Sequence, residues 1–329
     1  MKVLIIGGTR FLGRQLAWRL LAGGHRVTLF NRGRISDPFG DRVERLVGDR
    51  TTGDLARQLG GREFDAVVDT AAYNGADARQ AVDVLGGRVG HYVFISSGQT
   101  YLVRQTYPRP SRETDYDGPL MPRPADPREL SEWEYGIGKR DAEDALAEAW
   151  RSARFPATRL RLPMVNGPGD YYRRIESYLW RLLDGGPVLL PDGGDTPTRH
   201  VYSGSVVRTL TAILGDPRTF GQAYNMAQEE TPTLREIVTL LAESLGAAPR
   251  LVALPRERIA EAGLDPVGIS PFSGRWMSFL DPSRAREELG FRHEPLQSYL
   301  DAIVASFLAS PPETRPDNYG RRHVEWDLA

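Results

Sequence analysis

Tyr135 and Lys139 lie four residues apart in a stretch of helical spacing, which puts both side chains on one helix face. A free phenol, with a pKa of about 10, is a poor acid or base at neutral pH. A neighbouring ammonium favours the phenolate, and bringing the pKa to about 7 takes roughly 4 kcal/mol of differential stabilisation. A tyrosine tuned in this way exchanges a proton with a hydroxyl or carbonyl oxygen. Ser97 follows an apolar run at 91–95 and is a candidate to hydrogen-bond the same oxygen and hold it in line. The Tyr–Lys spacing alone is common by chance. Lysine usage gives it weight: Lys2 and Lys139 are the only lysines in a chain that otherwise uses arginine. Lysine is a compact charge for which arginine is no substitute.

The start of the chain carries a second chemical feature. Val3-Leu4-Ile5-Ile6 is a short all-apolar run, the signature of a strand buried on both faces. Gly7-Gly8-Thr9-Arg10-Phe11-Leu12-Gly13 follows, and Phe11, Leu12, Leu16, Leu20 and Leu21 recur at helical spacing. Strand, tight turn and helix bring backbone N–H groups and the positive end of a helix dipole to where a pyrophosphate sits. Gly7 permits the sharp turn, and Gly13 lets the helix pack close to the strand. A second strand at 26–30 follows at βαβ spacing, so the turn reads as a dinucleotide site. Arg10 replaces the middle glycine of the repeating pattern and brings a charged side chain to the phosphates. Asn31-Arg32 ends the second strand. An acid is usual there when the ribose 2′-OH of NAD is recognised, whereas an arginine favours the 2′-phosphate of NADP. NADP is therefore preferred, with NAD as the alternative. Beside a nicotinamide, Tyr135 takes a proton as hydride leaves the substrate carbon, or returns it in reduction.

These residues must be held by a sheet. Apolar runs at 2–6, 26–30, 43–47, 65–70, 91–96 and 157–162 alternate with helical segments, which predicts an α/β, Rossmann-type doubly wound parallel sheet. Asp49-Arg50 follows the third strand, and Thr70-Ala71-Ala72-Tyr73 follows the fourth. Ser96-Ser97 ends the fifth. All are carboxyl strand ends, where such sheets bind ligands, and the small Ala71-Ala72 pair lets backbone approach a cofactor. The irregular, Pro- and Arg-rich stretch 102–128 is expected to be a lid. A helix over 129–152 carries Tyr135 and Lys139. Further helices are expected at 174–184, 204–214, 233–245, 283–289 and 296–308, separated by Pro- and Gly-rich turns.

Composition bounds the rest. The chain has 329 residues, enough for more than one folding unit, and a formal net charge of −1. That balance gives no reason to expect nucleic acid or an acidic membrane surface. With no cysteine, disulfides and thiolate chemistry are excluded. The five histidines show no ligand spacing, so no metal is expected. Neither a signal peptide nor a membrane-length apolar run appears, and a cytoplasmic location is expected.

Taken together, these pieces resemble an extended short-chain dehydrogenase/reductase of the NAD-dependent epimerase/dehydratase type. The resemblance rests on the 7–13 turn, Asp49-Arg50, Ser96-Ser97 with Tyr101, Tyr135 with Lys139, and Arg161-Leu162-Pro163 with Gly167-Pro168. Tyr224-Asn225-Met226 and the 283–291 segment extend it over nearly the whole chain. The Gly-Gly-Thr-Arg-Phe turn and Phe30-Asn31-Arg32-Gly33 are similar to the atypical branch that includes chloroplast stem-loop-binding proteins. The resemblance implies a catalytic triad of Ser97, Tyr135 and Lys139, with Lys139 also holding the nicotinamide ribose. It implies cofactor contacts from the turn, Thr9, Phe11 and Leu12 included, and from Asn31, Arg32 and Ser96. By position, Asp49 and Arg50 match residues beside the adenine. Thr70, Ala71, Ala72 and Tyr73 match the segment beneath the cofactor, and Leu162 and Pro163 the one near the nicotinamide.

A smaller mixed C-terminal domain is then expected to hold the substrate, often a nucleotide sugar in this family. The expected division is 1–168 plus about 198–230 for the dinucleotide domain, and 169–197 plus 231–329 for the substrate domain. Two departures stand out. Met164 occupies the position of an asparagine that touches substrate phosphate, with Asn166 nearby but out of register. Ser205 stands where an aspartate usually opens the helix after 198–202. Met164, Asn166 and Arg199 are the candidate substrate contacts. The expected activity is hydride transfer at a secondary alcohol or ketone carbon of a sugar-like small molecule, by a homodimer. The alternatives are an epimerase or dehydratase with recycled NAD, and a non-enzymatic dinucleotide- or RNA-binding protein.

Overall fold

A computed structural model describes residues 1–329, and the chain divides into two units. The first comprises Met1–Pro163, Ser203–Ala227 and Ser278–Arg292, and the second Met164–Tyr202, Gln228–Met277 and His293–Ala329. In chain order the strands are β1 (Lys2–Ile6), β2 (Arg26–Asn31), β3 (Val43–Val47), β4 (Ala66–Asp69), β5 (Tyr92–Ser97), β6 (Ala157–Leu162), β7 (Val165–Asn166), β8 (Pro187–Pro191), β9 (Val201–Tyr202), β10 (Ala223–Asn225) and β11 (Arg250–Leu254). The helices are α1 (Phe11–Ala22), α2 (Asp54–Leu59), α3 (Gly75–Leu85), α4 (Gln99–Leu102), α5 (Pro127–Ala153), α6 (Arg174–Leu183), α7 (Ser203–Ile213), α8 (Leu234–Leu245), α9 (Arg256–Glu261), α10 (Pro266–Ile269), α11 (Ser283–Leu289), α12 (Leu296–Ala309) and α13 (Arg322–Asp327).

The first unit is built on a seven-stranded sheet in the order β10-β6-β5-β4-β1-β2-β3. Every neighbouring pair is parallel. Central parallel strands are buried on both faces, which is why β1 and β4 read as nearly continuous apolar runs, whereas the edge strand β3 carries the exposed Glu44 and Arg45. Leu4, Ile6, Val67, Tyr92 and Phe94 pack with Ala78, Ala81 and Leu85 of α3 and with Ala142 and Leu146 of α5. Val3, Ile5, Val27 and Leu29 alternate with them and are buried on the opposite face. Register brings the carboxyl ends level: Ile6 pairs with Phe30 and Asp69, and Ser97 with Leu162.

The second unit contains two parallel strand pairs, β8 with β11 and β7 with β9. Helix α8 packs on both α6 and α12. The C-terminal run, for which the sequence offers no account, is folded into this unit. Arg181 of α6 and Glu325 of α13 form a fully buried ion pair, and Arg322 bridges Glu325 and Asp184.

Two expectations need correction. The division differs from the expected one: 164–168, 198–202 and 228–230 belong to the second unit, and Ser278–Arg292 returns to the first. There Arg284 donates to Gln222 Oε1 and to the Ala223 carbonyl, and Tyr224 donates to Glu288. The 102–128 stretch is not a free lid. Arg140 donates to the Thr100 and Tyr116 carbonyls, and Tyr116 donates to Asp144. Ser111 N–H donates to the Phe279 carbonyl, and Glu113 accepts the Asn225 N–H. Its middle is therefore stitched to β10 and to the returning segment.

Candidate active site

The glycine turn after β1 is a tightly fitted cradle. Gly7 has φ +96°, where an L side chain is strained, and a Cβ there would overlap Thr70 Oγ1. A Cβ on Gly13 would lie 2.6 Å from the Gly7 carbonyl oxygen. Thr70 Oγ1 donates to the Ile6 carbonyl at 3.0 Å, tying β4 to the turn. Arg10 is exposed, and no side chain caps the first turn of α1, so backbone N–H groups there are left to a ligand. Phe11, at φ +35°, is a non-glycine residue in the left-handed region, and such strain concentrates at ligand loops. A cradle that a Cβ would fill, opening onto a helix start without a cap, fits a dinucleotide pyrophosphate.

Next to it, Asn31 Oδ1 accepts the Gly33 N–H at 2.8 Å and shapes the turn after β2. Arg32 and Arg34 are exposed. The Asp49 carboxyl is held below its ordinary pKa by the N–H and hydroxyl of Thr51, with the charges of Arg32 and Arg34 adding to the effect. Asp49 and two exposed arginines thus share one corner, and Arg34 is a member the sequence reading missed. Its neighbour Arg50 does not join them. Arg50 is buried and paired with Asp69 at 2.9 Å and Asp77 at 3.2 Å, so it braces β4 and α3 from inside. Ser96 is likewise turned inward, donating to Glu143 at 2.5 Å. Both side chains are thus engaged within the fold.

Helix α5 carries the candidate chemistry. Asp126 caps it by accepting the N–H groups of Arg128 and Glu129, Pro127 fills its first position, and Arg154 ends it in the left-handed conformation. Gly136 and Gly138 lie between Tyr135 and Lys139. Each glycine costs a helix interior about 1 kcal/mol relative to alanine. Here they allow close approach: a Cβ on Gly138 would lie 2.5 Å from the Tyr73 carbonyl oxygen, and one on Gly136 2.5 Å from Val103. Glycine interrupting a strong helical pattern was the available signal for this contact, and the sequence reading did not use it.

Lys139 is buried, and its Nζ donates to the Ala72 carbonyl at 2.7 Å and the Ile95 carbonyl at 2.8 Å. These carbonyls lie at the ends of β4 and β5, so one side chain links both strand ends to α5. Three rings surround the ammonium: Phe94 at 4.6 Å, Tyr73 at 5.2 Å and Tyr135 at 5.8 Å from the ring centroids. Burial pushes the Lys139 pKa down to about 8, while Asp69 and Glu143 hold it up against that pull. Tyr135 is partly exposed, with its ring 6.3 Å from that of Tyr73. Ser97 is partly exposed at the end of β5, where its Oγ accepts the Gln99 N–H at 3.2 Å. Gly98 N–H donates to the Leu162 carbonyl, which fixes Leu162 and Pro163 beside that strand end. Tyr135, Lys139, Ala71, Ala72 and Tyr73 are thus brought to one edge of the sheet. The arrangement offers a phenol, a desolvated ammonium and a hydroxyl, a set suited to proton transfer at an oxygen.

The candidate substrate residues all lie in the second unit. The Met164 carbonyl accepts the Val201 N–H. Asn166 is buried and bonded to His200 Nδ1 at 2.9 Å, so it braces β7 and β9. Arg199 donates to the Glu229 carbonyl and to Thr231. No group of three or more acidic or histidine side chains is arranged to hold a metal ion, and no helix is long and apolar enough to cross a membrane.

Residues 3–227 match the family model described as NAD dependent epimerase/dehydratase family. The chain is 26% identical over 327 residues to dTDP-6-deoxy-L-talose 4-dehydrogenase (NAD(P)(+)) of Kitasatospora kifunensis, covering 92% of this chain and 93% of that protein. It is also 26% identical over 261 residues to chloroplast stem-loop binding protein of 41 kDa b from Arabidopsis thaliana. That alignment covers 74% of this chain but spans only 63% of the relative. Among solved structures, UDP-glucose 4-epimerase with UDP-glucose from Thermotoga maritima superposes with a TM-score of 0.75 at 19% identity, covering 95% of this chain and all of that one.

Proposed function

The chain belongs to the NAD dependent epimerase/dehydratase family, which makes it an NAD(P)-dependent enzyme of the short-chain dehydrogenase/reductase superfamily, and on that premise we propose the reaction it performs. It moves hydride at a secondary alcohol or ketone carbon of a sugar-like or nucleotide-sugar substrate, with Tyr135 as general acid/base. The observation that carries this reading is the Tyr135–Lys139 face of α5, held against the ends of β4 and β5 through Ala72 and Ile95.

When bound, the dinucleotide supplies the hydride acceptor or donor. Tyr135 Oη takes the proton of the substrate hydroxyl in oxidation and returns it in reduction. The Lys139 ammonium, kept out of water, favours the phenolate through a medium of low dielectric. Ser97 Oγ holds the substrate oxygen in line. Gly7, Thr9 and the turn through Gly13 hold the pyrophosphate with Arg10, and Asp49 lies by the adenine. Ala71, Ala72, Leu162 and Pro163 border the nicotinamide. Arg32, with Arg34, receives a 2′-phosphate, so NADP is favoured over NAD. Met164 and Arg199 remain the substrate candidates of the second unit. The sugar-nucleotide class is supported by the relative that acts on a dTDP-sugar and the structural neighbour holding UDP-glucose.

The first test is to denature the purified protein and identify any released nucleotide, then titrate the emptied protein with NADH and NADPH. Retained NAD⁺ indicates an epimerase or dehydratase with a recycled cofactor, and an empty site preferring NADPH indicates a reductase. Tyr135→Phe should lower turnover by about 10²- to 10⁴-fold while leaving cofactor affinity unchanged. Near-normal turnover would remove Tyr135 from its role. Arg32→Asp should weaken NADPH more than NADH, and equal effects would sink the 2′-phosphate assignment. The stem-loop-binding relative motivates a second reading, an RNA-binding role. A salt-sensitive RNA shift with no turnover on any ketone or alcohol tested would favour it.

A further inference from the structure

We propose that Tyr73 is a positioning residue whose ring shields the Lys139 ammonium from water and so keeps that charge directed at Tyr135; its catalytic consequence rests on the reading of Tyr135 given above. Tyr73 is an aromatic residue that is 53% exposed, yet its backbone is fixed on every side. Its N–H donates to Asp77 Oδ2 at 2.8 Å, and Asn74, the next residue, caps α3 by accepting the Asp77 N–H. Its carbonyl abuts Gly138 of α5, and the preceding carbonyl, of Ala72, holds Lys139 Nζ. These contacts fix the backbone from which the ring projects, and the ring is one of the three around the ammonium, with Phe94 and Tyr135.

Lys139 is only 3% exposed although it stands beside a partly exposed tyrosine. Of the two solvent-facing rings beside the ammonium, Tyr73 is the nearer, at 5.2 Å against 5.8 Å for Tyr135. Two effects of the ring oppose one another. Excluding water disfavours the charged ammonium, whereas the face of the ring attracts it. At 5.2 Å the attraction is near the limit of its range, and the closer Phe94, at 4.6 Å, supplies most of it. The shielding effect therefore wins. The lowered Lys139 pKa, with burial as its main cause, agrees with this order. The other groups acting on Lys139 are Asp69 at the end of β4, Arg50 after β3, Asp77 on α3 and Glu143 one turn further along α5.

The test is a lysine-selective ¹³Cε NMR titration of the full chain. With only two lysines the spectrum is simple, and Lys2→Arg assigns the Lys139 signal. The Lys139 midpoint should lie near about 8 in the unaltered protein and rise by about one pH unit in Tyr73→Ala, as water reaches the ammonium. Tyr73→Phe, which keeps the ring, should leave it unchanged. No movement or a downward one in Tyr73→Ala would overturn the proposal, and so would a Phe variant that shifts like the Ala variant. Turnover of Tyr135→Phe is scored separately. If it stays active, the proposed reaction fails while the titration still judges the shield. If it is inactive and the titration does not move, the shield alone fails.

Discussion

Glu143 never meets a ligand, yet it orders the floor beneath Tyr135 and Lys139. It is fully buried, accepts from Ser96, and pairs with Arg161 through three hydrogen bonds. Burial alone would raise its pKa, but the Arg161 guanidinium outweighs it and holds the carboxyl below the ordinary glutamate range. Glu143→Gln leaves a buried guanidinium without a counter-charge, and should cost about 3–5 kcal/mol of stability in urea unfolding. His91 acts in the opposite sense. Its Nδ1 accepts the Gly215 N–H at 3.1 Å and its Nε2 bonds Thr158 at 2.8 Å, so the ring must be neutral. Burial pushes its pKa down to about 4. Between that value and 6.5 the unfolded chain takes up a proton that the folded one refuses, so stability falls on acidification, by roughly 3 kcal/mol at pH 4. His200, pushed down to about 3 by burial, adds in the same direction. The urea midpoint should drop steadily between pH 7 and 4.5, and a flat profile would contradict the neutral ring. At this scale the sequence was partly legible. Tyr135, Lys139 and the glycine turn announce themselves by type and spacing. Arg32 and Arg50 do not differ on paper, because what turns one inward is a pair of aspartates 19 and 27 residues away.

Helix α5 concentrates the element-scale argument. Replacing a helical glycine by alanine ordinarily stabilises by about 1 kcal/mol. Gly138→Ala should do the reverse, lowering stability by about 1–3 kcal/mol, since its Cβ would press on the Tyr73 carbonyl. A raised urea midpoint would show that α5 has room to move away. Elements were the most legible level. The six long strands match their apolar runs to within a residue at most ends, because parallel strands need such runs. β10 was not expected as a strand: Ala-Tyr-Asn is three residues long and is defined by its partner β6. The middle of 102–128 has no regular pattern because isolated bridges, such as Ser111 N–H to the Phe279 carbonyl, and side chain–backbone bonds to Arg140 and Asn225 hold it in place of a continuous ladder.

For the whole molecule, the two units carry separate staples. In the second, Glu325→Gln would strand the buried Arg181, while Arg322 keeps Asp184, and should cost about 3–5 kcal/mol. The expected readout is faster cleavage by a protease of the 293–329 region, and unchanged cleavage would mean the tail is not latched by this pair. The first unit poses a problem of a different kind, one of timing. Its sheet and the segment 111–116 are completed only by Ala223–Asn225 and Ser278–Arg292, contributed from far along the chain. At a synthesis rate of 5–20 residues per second, roughly ten seconds separate the emergence of β6 from that of its last supporting residues. The edge of β6 and Glu113 wait for β10 at 223–225, and Ser111 waits longer, for Phe279. The first unit therefore closes only once Ser278–Arg292 has emerged, and until then the ribosome-bound chain exposes surfaces that the finished unit buries.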